Sequence, residues 1–140
     1  MYRQFAFWPE KELVREVQSY GIPMSLHICG DTNKIIEDMG RTGAGIIEID
    51  WKLDMKKARK LLPESAVLMG NVNPSDPLVL GSPDDVRQAV RQVIEDTGGR
   101  RLFISSGCAL GRNTPPENLM AMIGGAREYG SYDRLMQLCR

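Results

Sequence analysis

The sequence lacks several features that define whole classes of protein. It contains no apolar run near the ~20 residues that cross a bilayer, and its first residues lack the long apolar stretch of a signal peptide. Its 18 Lys and Arg residues are balanced by 18 Asp and Glu residues, so no basic field attracts nucleic acid or anionic lipid. We therefore predict a cytoplasmic protein that has neither a nucleic-acid partner nor a membrane partner.

Cysteine and histidine are also scarce, with three cysteines and one histidine among the 140 residues. An odd number of cysteines spread so widely does not suggest a disulfide framework. In a reducing compartment, cysteines near a histidine are more often metal-binding or catalytic than bridged. His27 lies two residues from Cys29, which makes this segment the first candidate site. Cys139, next to the last residue, is interpreted as structural or incidental.

Apolar periodicity predicts one helix followed by four strand–helix units. The strands are predicted at 24–29, 45–50, 66–72 and 102–108, and N-cap signals mark helix starts at Asp31 or Thr32, Asp54, Ser82 and Thr114. Strict alternation implies a parallel sheet with right-handed crossovers, which fits either an open three-layer sheet or consecutive strands of a barrel. The strands carry more polar residues than a sheet covered on both faces usually tolerates, which favours the barrel.

Each predicted strand ends in a polar or metal-binding residue: Cys29, Asp50, Asn71 and Cys108. Such residues collect at the carboxyl-terminal face of barrel strands, where barrel enzymes carry out their chemistry. On the first strand, His27 and Cys29 share one face about 6.5–7 Å apart, and zinc accepts both imidazole and thiolate. Each residue alone also has a structural interpretation, because a single strand cysteine is usually a small buried hydrophobe.

Two acidic residues on the second predicted strand leave alternatives open. Ile47 and Ile49 are expected to face the helices, so Glu48 and Asp50 should face the opposite side. Asp50 could be a fourth metal ligand, a proton acceptor or a hydrogen-bond partner of His27, or simply a loop or helix-capping carboxylate. Glu48 could equally be an ion-pair partner in the interior.

Three separated blocks resemble the C-terminal half of the uroporphyrinogen decarboxylase superfamily, in the same order and spacing. They are HICGDTNKIIEDMGRTGAGIIEIDW, LMGNVNP and ISSGCALGRNTPPENLMAMIGGAREYG, and the resemblance extends from about Tyr2 to Gly130. The His-x-Cys pair followed much later by Gly-Cys resembles the corrinoid-dependent methyltransferases of that superfamily. The resemblance implies an α/β fold, the C-terminal (β/α)4 half of a TIM-type (β/α)8 barrel with four parallel strands and flanking helices.

The resemblance to this methyltransferase branch also implies a site and a reaction. His27, Cys29 and Cys108 match the residues with which these enzymes hold Zn2+. Asp50 matches an acidic residue able to approach the metal, which makes it the candidate catalytic residue. The implied reaction moves a methyl group from a methylcorrinoid, supplied by a partner corrinoid protein, to a small thiol such as coenzyme M. Folate or homocysteine acceptors remain open, whereas a uroporphyrinogen decarboxylase is disfavoured because that branch lacks the cysteine pair.

The chain is shorter than a complete barrel of this kind, which needs about 250 residues. We expect residues 1–140 to form a single half-barrel domain with unpaired strand edges and an uncovered inner face. Two copies pairing edge to edge would close a pseudo-barrel, so a homodimer is predicted. The alternatives are a complementing N-terminal half, a fragment of a longer gene product, and a flattened open sheet. The alternative function is a non-catalytic half-barrel that binds zinc or a partner chain, since the isolated chain could be inactive.

Overall fold

The structure is a computed structural model that describes residues 1–138, in which two helices precede four alternating strand–helix units and a last helix follows them. The elements are α1 (Tyr2–Phe5), α2 (Phe7–Ser19), β1 (Ser25–His27), α3 (Ile36–Arg41), β2 (Ile46–Glu48), α4 (Met55–Leu61), β3 (Val67–Val72), α5 (Pro83–Thr97), β4 (Leu102–Ser106), α6 (Pro116–Tyr129) and α7 (Tyr132–Leu138). Each strand lies within its predicted range. The interpretation of Cys139 falls outside the described residues. None of the described helices has the length and hydropathy of a membrane span.

The described strands form one sheet in the order β1-β2-β3-β4, and all neighbouring strands are parallel. This sequential order is the one expected of consecutive units of a barrel. Leu26 lies beside Ile47, which lies beside Leu68, and all three are buried on the helix side of the sheet. The prediction of four parallel strands with flanking helices is confirmed.

The hydrophobic core lies between this sheet and the helices. On this one face of the sheet, α2, α3 and α4 pack over the half that contains β1 and β2, through Val14, Met39 and Ala58. The helices α5 and α6 pack over the half that contains β3 and β4, through Val90 and Ala121. Burial of apolar surface, at about 25 cal/mol per Å2, is the main force that holds these helices on the sheet.

Local sequence signals set several helix ends. Ser82 accepts a hydrogen bond from the backbone N–H of Asp85, and the Asp85 carboxylate accepts one from the backbone N–H of Ser82, which confirms the predicted capping box. Gly98 follows α5 with a φ of 67°, a left-handed conformation that costs glycine little. Asp54 caps α4 by accepting a hydrogen bond from the backbone N–H of Lys57 at 2.7 Å.

Two of the predicted helix starts are wrong. Neither Asp31 nor Thr32 caps α3, because the Asp31 carboxylate accepts a hydrogen bond from the nearby backbone N–H of Asn33 at 2.9 Å. Thr114 does not cap α6 either, since its hydroxyl donates to the carbonyl of Gly111 at 2.7 Å. Short polar side chains bond to the backbone of a turn as readily as to a helix end, so their spacing alone does not separate the two.

The face of the sheet away from the helices carries apolar side chains. Ile46, Val67 and Met69 are only half-buried there, and Phe103 is 56% exposed. The outer strands β1 and β4 each have one edge without a strand partner among the described residues. Exposed apolar surface next to unpaired strand edges is what half of a barrel presents on its inner side.

Candidate metal centre

Two of the predicted ligands come from the end of one strand. His27 is the last residue of β1, and Cys29 follows it in the loop. The His27 Nε2 atom lies 3.1 Å from the Cys29 Sγ atom. His27 is half-buried, whereas Cys29 is exposed. The pair therefore opens to solvent at the carboxyl-terminal ends of the strands, the face at which barrel enzymes bind their substrates.

The third predicted ligand comes from the opposite edge of the sheet. Cys108 follows β4, and its Sγ atom lies 3.5 Å from the Sγ atom of Cys29. In a flat sheet, three interstrand spacings would hold β1 and β4 about 14 Å apart. The imidazole nitrogen of His27 and the two sulfurs nevertheless all lie within 4.8 Å of one another. The ends of β1 and β4 and the loops that follow them therefore converge, as expected for part of a barrel and not for a flattened sheet.

Gly107 allows Cys108 to reach the other two donors. A Cβ atom added at Gly107 would lie 2.8 Å from the Cα and Cβ atoms of Trp51, and closer still to its backbone nitrogen. The end of β4 thus approaches the backbone after β2 more closely than a residue with a side chain allows. The Gly107 N–H donates to the Val72 carbonyl at 2.8 Å, and the Ser106 hydroxyl donates to the Cys108 carbonyl at 2.6 Å. These contacts fix the backbone that carries Cys108.

Asp50 is buried directly after β2, with 4% of its surface exposed. Its carboxylate accepts hydrogen bonds from the backbone N–H groups of Gly30 at 2.7 Å and Lys52 at 2.9 Å. The first of these bonds ties the loop after Cys29 to the end of β2. Among residues 1–138, the group of side chains close enough to hold one metal ion does not include Asp50. The structure thus gives Asp50 a loop-anchoring contact, and its catalytic role stays a prediction.

The structure identifies the partners of two inward-facing residues whose contacts could not be predicted from the sequence pattern. Asn71, singled out only as a polar strand end, donates its side-chain amide to the carbonyls of Asp50 at 3.2 Å and Leu53 at 2.6 Å. These bonds hold the turn that carries Asp50. Strand alternation places Glu48 on the same face as His27, and the structure sets its Oε2 atom 3.8 Å from the His27 Nδ1 atom.

The geometry and chemistry of the three donors fit a zinc ion. The pKa of the Cys29 thiol is raised above its ordinary value by its hydrogen bond with Cys108, by desolvation and by the negative charges of Cys108, Asp50 and Glu48. A bound cation favours the thiolate and reverses this effect. Tetrahedral zinc, with Zn–S near 2.3 Å and Zn–N near 2.0 Å, separates its ligand atoms by about 3.5–3.8 Å. The separations of 3.1 Å for His27 and Cys29 and 3.5 Å for the two cysteines are shorter than or at the lower end of this range, and all three donors lie within 4.8 Å of one another, so small side-chain rotations would place them around one ion.

Comparison with known proteins places the chain in a family. The sequence profile described as uroporphyrinogen decarboxylase (URO-D) matches residues 1–129. The chain belongs to the uroporphyrinogen decarboxylase family. The methylcobamide:CoM methyltransferase MtbA of Methanosarcina mazei is 32% identical over 128 residues, which cover 91% of this chain and 37% of the relative. A uroporphyrinogen decarboxylase of Prochlorococcus marinus is 34% identical over 119 residues, which cover 84% of this chain and 33% of the relative.

A solved structure extends the likeness from the sequence to the fold. A methyltransferase from Methanosarcina mazei matches with a TM-score of 0.83 at 27% identity, over 93% of this chain and 37% of that chain. The predicted half-barrel fold and the predicted family are confirmed. The chain spans only 33–37% of the length of these curated relatives. Overall similarity does not separate methyltransferases from decarboxylases within the family, since both match this chain about equally well.

Proposed function

We propose that this chain carries the zinc site of a methyltransferase that moves a methyl group from a methylcorrinoid, held by a partner corrinoid protein, to a small thiol. The thiol loses its proton, its sulfur bonds to the methyl carbon, and the cobalt–carbon bond breaks with its electron pair left on cobalt. The observation that carries the proposal is the convergence of one imidazole nitrogen and two cysteine sulfurs within 4.8 Å. The methylcobamide:CoM methyltransferase MtbA, a relative with 32% sequence identity, is named for this class of reaction.

Each side chain of the centre has a role in this proposal. His27, Cys29 and Cys108 would hold Zn2+ through Nε2 and the two sulfurs. Zinc, when bound, would lower the pKa of the substrate thiol so that it reacts as a thiolate near neutral pH. The two cysteine thiolates would formally balance the charge of the ion, which would leave the substrate sulfur nucleophilic. Asp50 holds the backbone of Gly30 and so keeps the loop after Cys29 in place.

Metal content is the first test of this proposal. The purified chain, loaded with zinc and dialysed, should retain about one zinc ion per chain. Cys29→Ala and Cys108→Ala should each lose that ion, because a structural or catalytic zinc site needs at least three protein donors. Cys139→Ala is the matched control, since it removes a thiol outside the proposed ligand set, and it should keep its zinc. Full retention of zinc by both site variants would dismiss the proposal.

Methyl transfer is the second test. Methylcobalamin serves as the donor, with coenzyme M, homocysteine and other thiols as acceptors, and the cobalamin absorbance reports loss of the methyl group. Zinc-dependent turnover supports the methyltransferase. Stoichiometric zinc without turnover, in the complete assembly, supports the non-catalytic half-barrel instead. Decarboxylation of uroporphyrinogen by the metal-free chain would favour the activity named for the Prochlorococcus marinus relatives.

A second half-barrel is the partner that we propose for the exposed inner face. Two copies related by a twofold axis would join β4 of one protomer to β1 of the other and give the eight strands of a closed barrel. The join would cover Phe103 and the neighbouring apolar side chains. Light scattering should then report twice the chain mass of 15.7 kDa. A stable zinc-binding monomer would contradict the homodimer and favour a complementing N-terminal half, which the greater length of the relatives also allows.

A further inference from the structure

The ring of His27 leaves one nitrogen without a partner. Its Nε2 atom faces the thiols, 3.1 Å from Cys29 Sγ. Its Nδ1 atom is buried and has no hydrogen-bond partner among the described residues. A buried polar atom left unpaired destabilises the folded state, because it has lost its hydrogen bonds to water. A neutral imidazole that gives the Nε2 lone pair to a metal carries its proton on Nδ1, so Nδ1–H becomes a buried donor that requires a hydrogen-bond acceptor.

Glu48 is placed to be that acceptor. His27 and Glu48 are direct partners in the register of β1 and β2, and both side chains lie on the inner face of the sheet. The Glu48 Oε2 atom lies 3.8 Å from His27 Nδ1. This is less than about 1 Å beyond a hydrogen bond. No other hydrogen bond or ion pair of the Glu48 carboxylate is found within residues 1–138, so it is free to turn toward the ring.

Asp50, the other carboxylate near the metal centre, already uses its oxygens in other hydrogen bonds. Both of its oxygens accept backbone hydrogen bonds, from Gly30 at 2.7 Å and from Lys52 at 2.9 Å. Turning either oxygen toward the imidazole would break one of these bonds and leave a backbone N–H group unpaired. The acceptor for the ring is therefore the half-buried Glu48 and not the fully buried Asp50.

We propose that Glu48 is the positioning residue of the metal centre. Its carboxylate accepts a hydrogen bond from His27 Nδ1–H, which fixes the tautomer and the plane of the ring so that Nε2 faces the ion. Metal-binding histidines commonly donate their second nitrogen to a carboxylate, and removing that carboxylate weakens metal binding by about 10- to 100-fold. This inference rests on the proposed zinc role of His27, Cys29 and Cys108.

Zinc affinity of Glu48 variants, measured by competition with a chromophoric chelator, tests the inference. Glu48→Ala should bind zinc about 10- to 100-fold more weakly than the wild type. Glu48→Gln retains an acceptor oxygen without the charge, so its zinc affinity should lie between that of the wild type and that of Glu48→Ala. Glu64→Gln is the matched control, because it removes the same charge from an exposed carboxylate in the turn before β3. Circular dichroism and thermal unfolding establish that each variant is folded.

A spectroscopic measurement on the wild type tests the same inference without any variant. His27 is the single histidine of the chain, so two-bond 1H–15N NMR of the zinc-loaded protein reports one ring. The spectrum should show a proton on Nδ1 and a metal-bound Nε2. Protonation of Nε2 with metal on Nδ1 would overturn the role of Glu48.

The outcomes separate this inference from the proposed function. If wild type and Glu48→Ala bind zinc equally tightly, Glu48 has no positioning role while the zinc site stands. If Glu48→Gln is as weak as Glu48→Ala, the effect is one of charge, and the hydrogen bond is rejected. If the wild type itself binds no zinc, the proposed function fails and the role of Glu48 fails with it.

Discussion

Gly107→Ala most directly tests how the fold brings Cys108 to the other two donors. The added Cβ atom would lie 2.8 Å from the Cα and Cβ atoms of Trp51 and closer still to its backbone nitrogen. Ordinary contacts begin at 3.4 Å, so the end of β4 and the backbone after β2 must separate by at least about 0.6 Å. Because the obstructing atoms belong to the backbone and to the base of a side chain, a change of rotamer cannot relieve the clash.

This displacement is large on the scale of metal coordination. Ligand distances at a zinc site hold within about 0.2 Å, and Cys108 is the residue next to the one that must move. A shift of about 0.6 Å or more carries the Cys108 sulfur away from its neighbours and strains or breaks the third bond to the ion. We expect at least a tenfold loss of zinc affinity, or about 1.4 kcal/mol. Overcrowding should also lower the stability of the metal-free chain by about 1–3 kcal/mol.

Two measurements check this expectation. Chelator competition gives the zinc affinity, and thermal unfolding with and without zinc gives the stability. Gly45→Ala is the matched control, since a Cβ atom there meets nothing within 4 Å and the φ angle of Gly45 is not positive. The control should bind zinc like the wild type. A Gly107→Ala chain with wild-type zinc affinity would refute the idea that the approach to Trp51 determines where Cys108 lies.

Three further substitutions test separately the cap of α5, the buried hydrogen bonds of Asn118 and the loop-anchoring contact of Asp50. Ser82→Ala removes the hydroxyl that accepts from the backbone N–H of Asp85 in the capping box, and should cost about 1 kcal/mol in thermal unfolding. The pKa of Asp85 should also rise in an NMR titration, because hydrogen bonds from Ser82 hold that pKa below its usual range. The stability that the Asp85 carboxylate gains from these bonds is present near neutral pH and is lost as pH falls through its pKa in the folded chain. The difference in unfolding free energy between wild type and Ser82→Ala should therefore narrow in acid. Asn118→Ala removes an amide that donates to carbonyls of 77–81, and should lower stability by about 1–3 kcal/mol with unchanged zinc affinity. If Asp50 only anchors the loop, Asp50→Asn should weaken zinc binding, and methyl transfer should fall in proportion to the lost zinc. If Asp50 is catalytic, the rate of methyl transfer should fall by a larger factor than the zinc occupancy.

Most of the fold is predictable from the sequence because its signals are local. The alternation of apolar residues places each strand within its predicted range, and the capping box at Ser82 fixes the start of α5. The predictions fail where one side chain has two local partners to choose from. Asp31 and Thr114 bond to the backbone of their own turns instead of capping helices, and nothing in the spacing of the residues decides between these outcomes.

The site is predictable in proportion to how local its residues are. His27 and Cys29 can be paired from the sequence, because strand alternation places them on one face. Cys108 joins them only through the resemblance to a family, since its position depends on the curvature of the whole sheet. At the end of β4 the backbone of Gly107 lies against Trp51, a tertiary contact between segments about 55 residues apart that no periodicity reveals.

Metal binding and catalysis should be separable properties of this chain. His27 ends β1, Cys29 follows it, and Cys108 follows β4, so all three proposed ligands come from this chain and the metal centre needs no atom from a second half-barrel. The inner face is different, because Phe103 is exposed in this chain and would be covered only by the proposed second half. An open face admits water, which weakens electrostatic interactions at the reacting centre. The isolated half-barrel should therefore hold zinc with near-full affinity, whereas methyl transfer should appear only when the barrel is closed. Equal turnover by monomer and closed assembly would contradict this division.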